Sequence, residues 1–131
     1  LNLHTDLLEE LGVTYIFITL DLAVVNHISD EIMVMYLGQA VEKAPTEELF
    51  NNPIHPYTKS LRNSIPIPRV GARKERKLIR GEVSSPIDPA DECRFAKRCE
   101  YCNSQCTGSC PKLKEVNPGH FVACHLFPQN S

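Results

Sequence analysis

Six cysteines carry the clearest chemical signal in this sequence, and all of them lie between residues 93 and 124. Four of them are separated by five, six and seventeen residues, in the order Cys93, Cys99, Cys106 and Cys124. Four thiolates that converge on one point suit either zinc or an iron–sulfur cluster, and the spacing alone does not distinguish the two. The alternative is that the cysteines are free or joined in disulfides. Because the chain does not open with the basic segment of a secretory signal, a metal or cluster site is favoured over disulfides.

The residues around these four cysteines leave other ligand sets open. Cys102 forms a C-x2-C pair with the cysteine before it, and Cys110 follows eight positions later. His120 and His125 lie on either side of the last cysteine, so a mixed Cys/His site is an alternative. Histidines near a metal are nevertheless more often hydrogen-bonding neighbours than ligands. Five nearby cations would offset the negative charge of a four-thiolate site: Arg94, Lys97, Arg98, Lys112 and Lys114.

Elsewhere the sequence lacks the pattern of a phosphate-binding or nucleophilic active site. Its six glycines are dispersed, and the Walker A pattern G-x-x-x-x-G-K-S/T does not occur. The tetrad from His55 to Thr58 lies after the end of one predicted helix and covers the start of the next, where capping and turn chemistry explain it. The residues by themselves therefore predict no catalytic group in this chain.

The elements that must position these residues follow from hydrophobic periodicity. We predict helices at residues 1–11, 21–29, 46–50 and 57–64, and strands at 13–19, 31–37 and 39–43. The segment 13–19 has no charge and is rich in β-branched and aromatic residues, which is typical of a strand buried in a parallel sheet. Helix and strand alternate, which indicates an α/β fold whose sheet is completed by another segment or another chain.

The chain also divides by composition. Residues 1–42 contain no Lys or Arg, whereas a proline-bearing stretch over residues 66–92 contains six basic residues between 69 and 80. We interpret residues 66–92 as a linker with one short strand near residues 78–83, and residues 93–131 as a small cysteine-rich module.

Most of the chain resembles the ATP-binding subunits of oligopeptide/dipeptide ABC importers. An ABC nucleotide-binding domain ends with a similar series: the strand VTYIFIT, a triplet that here is Leu20-Asp21-Leu22, and the segment EIMVMYLGQAVEKAPTEELFNNPIHPYTKSL. The tetrad His-Pro-Tyr-Thr and the run GEVSSPIDP…CRFAKRC…PGHFVACHL are distinctive of the oligopeptide/dipeptide branch. The implied α/β fold is a partial ABC nucleotide-binding domain over residues 1–65, which holds the C-terminal strands and helices of its core sheet. A linker over 66–92 and an irregular cysteine-rich appendage over 93–131 follow.

The resemblance also implies roles for single residues. The family's switch histidine hydrogen-bonds the γ-phosphate of ATP and helps to hold the attacking water. Its position is occupied by Leu20, followed by Asp21, and a leucine can do neither. In that family four cysteines bind a 4Fe-4S cluster. The resemblance implies that the corresponding ligands here are Cys93, Cys99, Cys106 and Cys124, with zinc as the alternative to the cluster. Cys102 and Cys110 have no counterpart in the family pattern.

The resemblance implies that a longer parent protein binds ATP and Mg²⁺ and energises peptide import. Because this sequence lacks the Walker A, signature and Walker B motifs, we expect the chain alone not to hydrolyse ATP. The implied partners are membrane-spanning importer subunits and a second ATP-binding subunit at the cytoplasmic face of the membrane, without nucleic acid. We also expect the isolated chain to self-associate. The alternative is a stand-alone metal- or cluster-binding interaction module from a degenerate ABC gene.

Overall fold

The computed structural model describes residues 2–65, 87 and 90–126. Most of the predicted linker, with its basic run and its short strand, lies outside the described residues. The elements in chain order are helices α1 (Asn2–Leu11) and α2 (Leu22–Ile28), strands β1 (Glu31–Tyr36) and β2 (Gln39–Pro45), helices α3 (Thr46–Asn51) and α4 (Pro56–Asn63), a 3₁₀ helix (Ala96–Arg98), and strands β3 (Lys114–Asn117) and β4 (His120–Val122). Among the described residues no helix has the length and apolar character needed to cross a membrane.

A four-stranded antiparallel sheet in the order β1-β2-β4-β3 organises the fold. Strand β1 alternates, with three outward residues and three buried ones, which is the pattern of a strand with one face on the core. This face of β1 packs against β2, α3 and the start of the cysteine-bearing segment. The buried core residues are Ile32, Val34, Tyr36, Val41, Ala44, Leu49 and Phe95.

The hairpin between β1 and β2 closes through two residues with left-handed backbone. Tyr36 pairs with Gln39, and the residues between them are Leu37 and Gly38, with φ of 47° and 78°. Positive φ at both central positions matches the right-handed twist of the flanking strands. The register shifts by one residue on β2 between Ala40 and Glu42, a bulge that leaves Val41 opposite no residue of β1. The predicted strand at 31–37 and its hairpin partner are therefore confirmed.

The positions of the helices were also predicted correctly from capping residues and hydrophobic periodicity. The side chain of Asp21 accepts hydrogen bonds from the N–H groups of Ala23 and Val24 at 3.0 and 3.4 Å, and so caps α2 as predicted. Helix α4 begins with Pro56 at its first turn, where a proline costs no hydrogen bond. The predicted helices at 1–11, 46–50 and 57–64 match α1, α3 and α4 to within a residue or two.

The predicted buried strand at 13–19 is wrong. Within the described residues this segment forms no strand, and its large apolar side chains are exposed, with Ile16 and Ile18 more than 90% accessible. A strand needs a neighbouring strand to satisfy its N–H and C=O groups, and none of the described strands pairs with it.

The predicted fold class is thus confirmed only in its coarse form. The structure is a small α/β arrangement consistent with part of an ABC domain, but its sheet is antiparallel. A separate cysteine-rich appendage is not confirmed, because β3 and β4 from the C-terminal part join the same sheet as β1 and β2.

Candidate functional site

A buried carboxylate on β2 is the centre of the most tightly connected polar cluster in the described structure. Glu42 is 0% exposed, and its Oε1 accepts a 2.8 Å hydrogen bond from the N–H of Ile54. Its Oε2 accepts from the N–H of His55 at 3.1 Å. These two N–H groups belong to the connection that enters α4. Glu42 therefore fixes the start of that helix to the centre of the sheet.

His120 on β4 is the third partner of Glu42. Its Nε2 lies 2.6 Å from Glu42 Oε1, and its Nδ1 lies 3.2 Å from Oε1 of Glu48 on α3. An imidazolium can donate to both carboxylates, whereas a neutral imidazole can donate to only one. The hydrogen bond from His120 is the main reason that the pKa of Glu48 lies below its ordinary value. We refer to Glu42, His120 and Glu48 as the Glu–His–Glu cluster.

The register of the sheet explains how residues 78 positions apart meet. Glu42 pairs with Val122 across β2 and β4, and His120 lies two residues before Val122 on the same face of β4. His120 is therefore a diagonal neighbour of Glu42, within reach of a long side chain. Helix α3 follows β2 directly and brings Glu48 to the other ring nitrogen. Glu42 and His120 are 0% exposed, whereas Glu48 is partly exposed, so the geometry of the buried pair suits a structural role.

His55 begins α4 and acts as its cap. Its Nδ1 accepts a 3.1 Å hydrogen bond from the N–H of Tyr57, in the way that Asn or Asp caps a helix. The ring is almost fully buried, and burial lowers the pKa of His55 to about 4. The capping role predicted for the His55–Thr58 tetrad is therefore confirmed, and the imidazole is neutral near pH 7.

An aromatic cluster joins this helix start to the cysteine-bearing segment. The rings of Tyr36 and Tyr57 lie 4.8 Å apart, and Phe95 lies 5.3 Å from the first and 5.4 Å from the second. His55 adds a fourth ring, 5.7 Å from Phe95. Such offset contacts add to the stabilisation from apolar burial. Residues 93–99 are thus held against the sheet by Phe95.

The four predicted cysteine ligands lie in loops beside this cluster. Cys106 and Cys124 are buried, whereas Cys93 and Cys99 are half-buried and pack against the apolar core. The N–H of Cys93 donates to the carbonyl of Cys106 at 2.8 Å, which brings two of the loops together. All six cysteines are free thiols.

The predicted cofactor is wrong. Among residues 2–65, 87 and 90–126 the structure contains no group of three or more His, Cys, Asp or Glu side chains that could hold a metal ion. The thiol environment of the chain without a metal agrees with this. Burial, with a smaller contribution from neighbouring thiols, raises the pKa of Cys93 to about 11, and burial also raises the pKa values of Cys99 and Cys124. Metals bind the thiolate, and these surroundings favour the neutral thiol. Neither the 4Fe-4S cluster nor zinc is supported.

The other residues singled out in the sequence have separate roles. The thiol of Cys110 donates to Oε1 of Gln39 at 3.0 Å, and Cys102 is exposed. The ring of His125 contacts the carbonyl of Ser109 through Nε2 at 2.8 Å. Leu20, at the predicted switch position, is fully exposed, directly before the Asp21 cap of α2.

Thiol labelling should distinguish Cys102 from the other five cysteines. Because only Cys102 is classed as exposed, we expect about one equivalent of a water-soluble disulfide reagent to react in a fast phase in the folded chain. Peptide mapping by mass spectrometry would identify the labelled residue. Cys102→Ser should remove the fast phase and Cys106→Ser should leave it intact. Fast labelling of Cys106 or Cys124 would contradict the burial described above.

The Glu–His–Glu cluster was not predicted from the sequence. The only local signal was the acid Glu42 directly after the apolar residues Ala40 and Val41 in a predicted strand. Nothing in the sequence indicates that its partner is His120, because that pairing depends on the register of two strands far apart in the chain.

Comparison with known proteins identifies the class to which this structure belongs. Residues 41–106 match the family model described as the oligopeptide/dipeptide transporter C-terminal region, and the chain belongs to this family. The matched region includes β2, α3, α4 and three of the four predicted cysteine ligands.

Individual relatives match over nearly the whole chain. The chain is 45% identical over 129 residues to the oligopeptide transport ATP-binding protein AppF of Bacillus subtilis, covering 97% of this chain and 39% of AppF. It is 47% identical over 124 residues to the dipeptide transport ATP-binding protein DppF of Haemophilus influenzae, covering 95% and 38%. It is 46% identical over 123 residues to the putative peptide import ATP-binding protein BOV_A0347 of Brucella ovis, covering 94% and 39%. The chain thus spans about two fifths of the length of these relatives, and the resemblance seen in the sequence is confirmed.

Proposed function

We propose that this chain is the C-terminal part of an ATP-binding subunit that energises peptide uptake through an ABC importer. The observation that carries the proposal is identity of 45–47% to ATP-binding proteins of oligopeptide and dipeptide transport over nearly the whole chain. In the importer, this part works at the cytoplasmic face of the membrane beside membrane-spanning subunits and a second ATP-binding subunit. In this proposal, residues 1–65 are the C-terminal part of the nucleotide-binding domain, residues 66–92 are a linker, and residues 93–131 are the C-terminal module.

In this proposal, Leu20 and Asp21 are the residues of this chain that are most directly connected with ATP hydrolysis. Asp21 caps α2 and so holds the preceding residue at the beginning of that helix. Leu20 extends into solvent, where a nucleotide held by other parts of the subunit could reach it. Its side chain cannot hydrogen-bond a γ-phosphate or a water molecule. ATP hydrolysis by a subunit with this segment is therefore slow.

A chimera tests both the importer role and the effect of Leu20. In AppF, the matching C-terminal region would be replaced by this chain, and ATP hydrolysis and peptide uptake measured in reconstituted vesicles. We expect the chimera to assemble and to hydrolyse ATP slowly. Leu20→His should raise the rate by about 10²-fold or more, the usual contribution of one hydrogen-bond donor positioned where charge develops in the transition state. A chimera that does not assemble with the importer subunits would contradict the proposed role.

Two controls accompany this experiment. The chain alone, which contains no Walker A motif, should show no binding of Mg-ATP by calorimetry and no hydrolysis. The neighbouring change Thr19→Ala, which removes only the 3.1 Å contact to the N–H of Asp21, should leave the chimera's rate within about threefold. Equal stimulation by Leu20→His and by Thr19→Ala would show that the effect does not come from the imidazole.

A further inference from the structure

A polar cleft lies between the end of α3, the face of α4 and the β3–β4 turn. Its volume is about 550 Å³, which is within the range of small-molecule sites. The Glu–His–Glu cluster forms part of its wall through Glu48, but the buried groups of that cluster do not open into it. The cleft therefore adjoins the cluster at Glu48, while Glu42 and His120 remain fully buried.

Two cations line one side of this cleft. Lys59 and Arg62 are three residues apart on α4, so they project from the same face of the helix. Both are exposed, and within the described part of the chain neither forms an ion pair or a hydrogen bond through its side chain. Their charge is therefore available to a ligand.

Side-chain amides complete the lining with further donors. Four asparagines from three different elements and loops meet here: Asn51, Asn52, Asn63 and Asn117. Three of them, all except Asn52, make no side-chain hydrogen bond to another described residue. The lining thus combines two full positive charges with several unused N–H donors.

Among the described residues of the lining, Glu48 is the only one with an anionic side chain, and its carboxylate is already engaged. Its Oε1 contacts His120 and its Oε2 accepts from the amide of Asn52 at 3.3 Å. The remaining polar side chains facing the cleft are donors or amides, which favours an anionic guest with several acceptor oxygens.

We propose that this cleft binds the oxyanion group of a small molecule, a phosphate or a carboxylate, between Lys59 and Arg62. The planar guanidinium of Arg62 can donate two parallel hydrogen bonds to such a group, and Lys59 supplies a second charge. The asparagine amides contact the rest of the ligand. Phosphates and carboxylates share this chemistry, and direct titration separates them.

The test is a titration of the isotopically labelled chain with inorganic phosphate and, separately, with citrate, each at constant ionic strength set by chloride. We follow the side-chain amide resonances of Asn51, Asn63 and Asn117. They should shift along a saturating curve with one of the two probes or with both, and the responding probe identifies the bound group. Arg62→Gln and Lys59→Gln should each weaken binding by about tenfold, as expected for the loss of a charge-assisted hydrogen bond.

Lys112→Gln is the matched control, because Lys112 is exposed, carries the same charge and lies outside the cleft. It should change the dissociation constant by less than about twofold. Resonances that drift linearly with both probes would overturn the proposal, as would equal weakening by Lys112→Gln and Arg62→Gln, because either result indicates general screening. All three substitutions are on the surface, so circular dichroism should show the same fold in each variant.

Discussion

Replacing Glu42 by alanine is expected to lower the free energy of unfolding by about 3–5 kcal/mol, because each buried donor left without an acceptor costs about 1–3 kcal/mol. The change leaves three groups without their acceptor: the ring of His120 and the N–H groups of Ile54 and His55. The ring of His120 and the N–H of His55 cannot turn to water easily, because both residues are almost fully buried. A loss of this size is a large fraction of the stability of a domain.

Urea unfolding followed by circular dichroism would measure this loss. Glu47→Ala is the matched control, since Glu47 is an exposed acid on α3 with no partner in the Glu–His–Glu cluster, and its effect should stay within about 1 kcal/mol. Glu42→Gln should fall between the two, because an amide keeps one acceptor oxygen but no charge. A Glu42→Ala protein as stable as Glu47→Ala would show that the cluster does not hold the sheet.

A double-mutant cycle separates the contact with His120 from the contacts with the helix entry. His120→Gln removes the imidazole and keeps a polar group on β4. If the two side chains stabilise the fold through each other, the effects of Glu42→Ala and His120→Gln should be less than additive by about 1–3 kcal/mol. Full additivity would assign the stability instead to the N–H groups of Ile54 and His55.

Local signals in the sequence were sufficient for the hairpin and the helix ends. Gly38 after an alternating strand, Asp21 before an apolar face and Pro56 after His55 each act through backbone groups a few residues away. Such contacts do not depend on the rest of the fold, and the structure contains all three features.

The segment 13–19 shows where that reasoning fails. Its composition fits a buried strand, but composition describes only the preference of the segment and not the presence of a neighbour. A strand is stable when another strand pairs with its edge, and no described strand does so here. The same limit applies to β4, whose place beside β2 depends on a partner about 78 positions away.

The cysteines show a second limit. Their spacing predicts convergence, and the backbone contact between Cys93 and Cys106 agrees with proximity of two loops. Spacing does not report the surroundings of each sulfur. Burial against the apolar core raises the thiol pKa of Cys93 to about 11, so that its side chain packs as a small apolar group.

Acid should destabilise this protein through His55 before most carboxylates titrate. Burial lowers the pKa of His55 to about 4 in the folded chain, against an ordinary value of 6.5 in the unfolded chain. The unfolded state therefore binds a proton first, and the stability from His55 is present above pH 6.5 and is lost as the pH falls from 6.5 toward 4. At about 1.4 kcal/mol for each pKa unit, the total loss is about 3 kcal/mol. Protonation would also occupy the Nδ1 that accepts from the N–H of Tyr57.

His55→Asn isolates this contribution, because an asparagine can cap α4 with its side-chain oxygen but does not titrate. Urea unfolding between pH 6.5 and 4.5 should give a shallower dependence on pH for His55→Asn than for the unchanged protein. His27→Asn, at an exposed position in α2, should keep the original slope. The measurements end at pH 4.5 because Glu48 also contributes to the pH dependence of stability. The hydrogen bond from His120 lowers the pKa of Glu48 in the folded chain, so its contribution is lost only as the pH falls below the ordinary pKa of 4.5. If His55→Asn and the unchanged protein gave parallel curves, the buried imidazole would not be the group that makes the fold sensitive to mild acid.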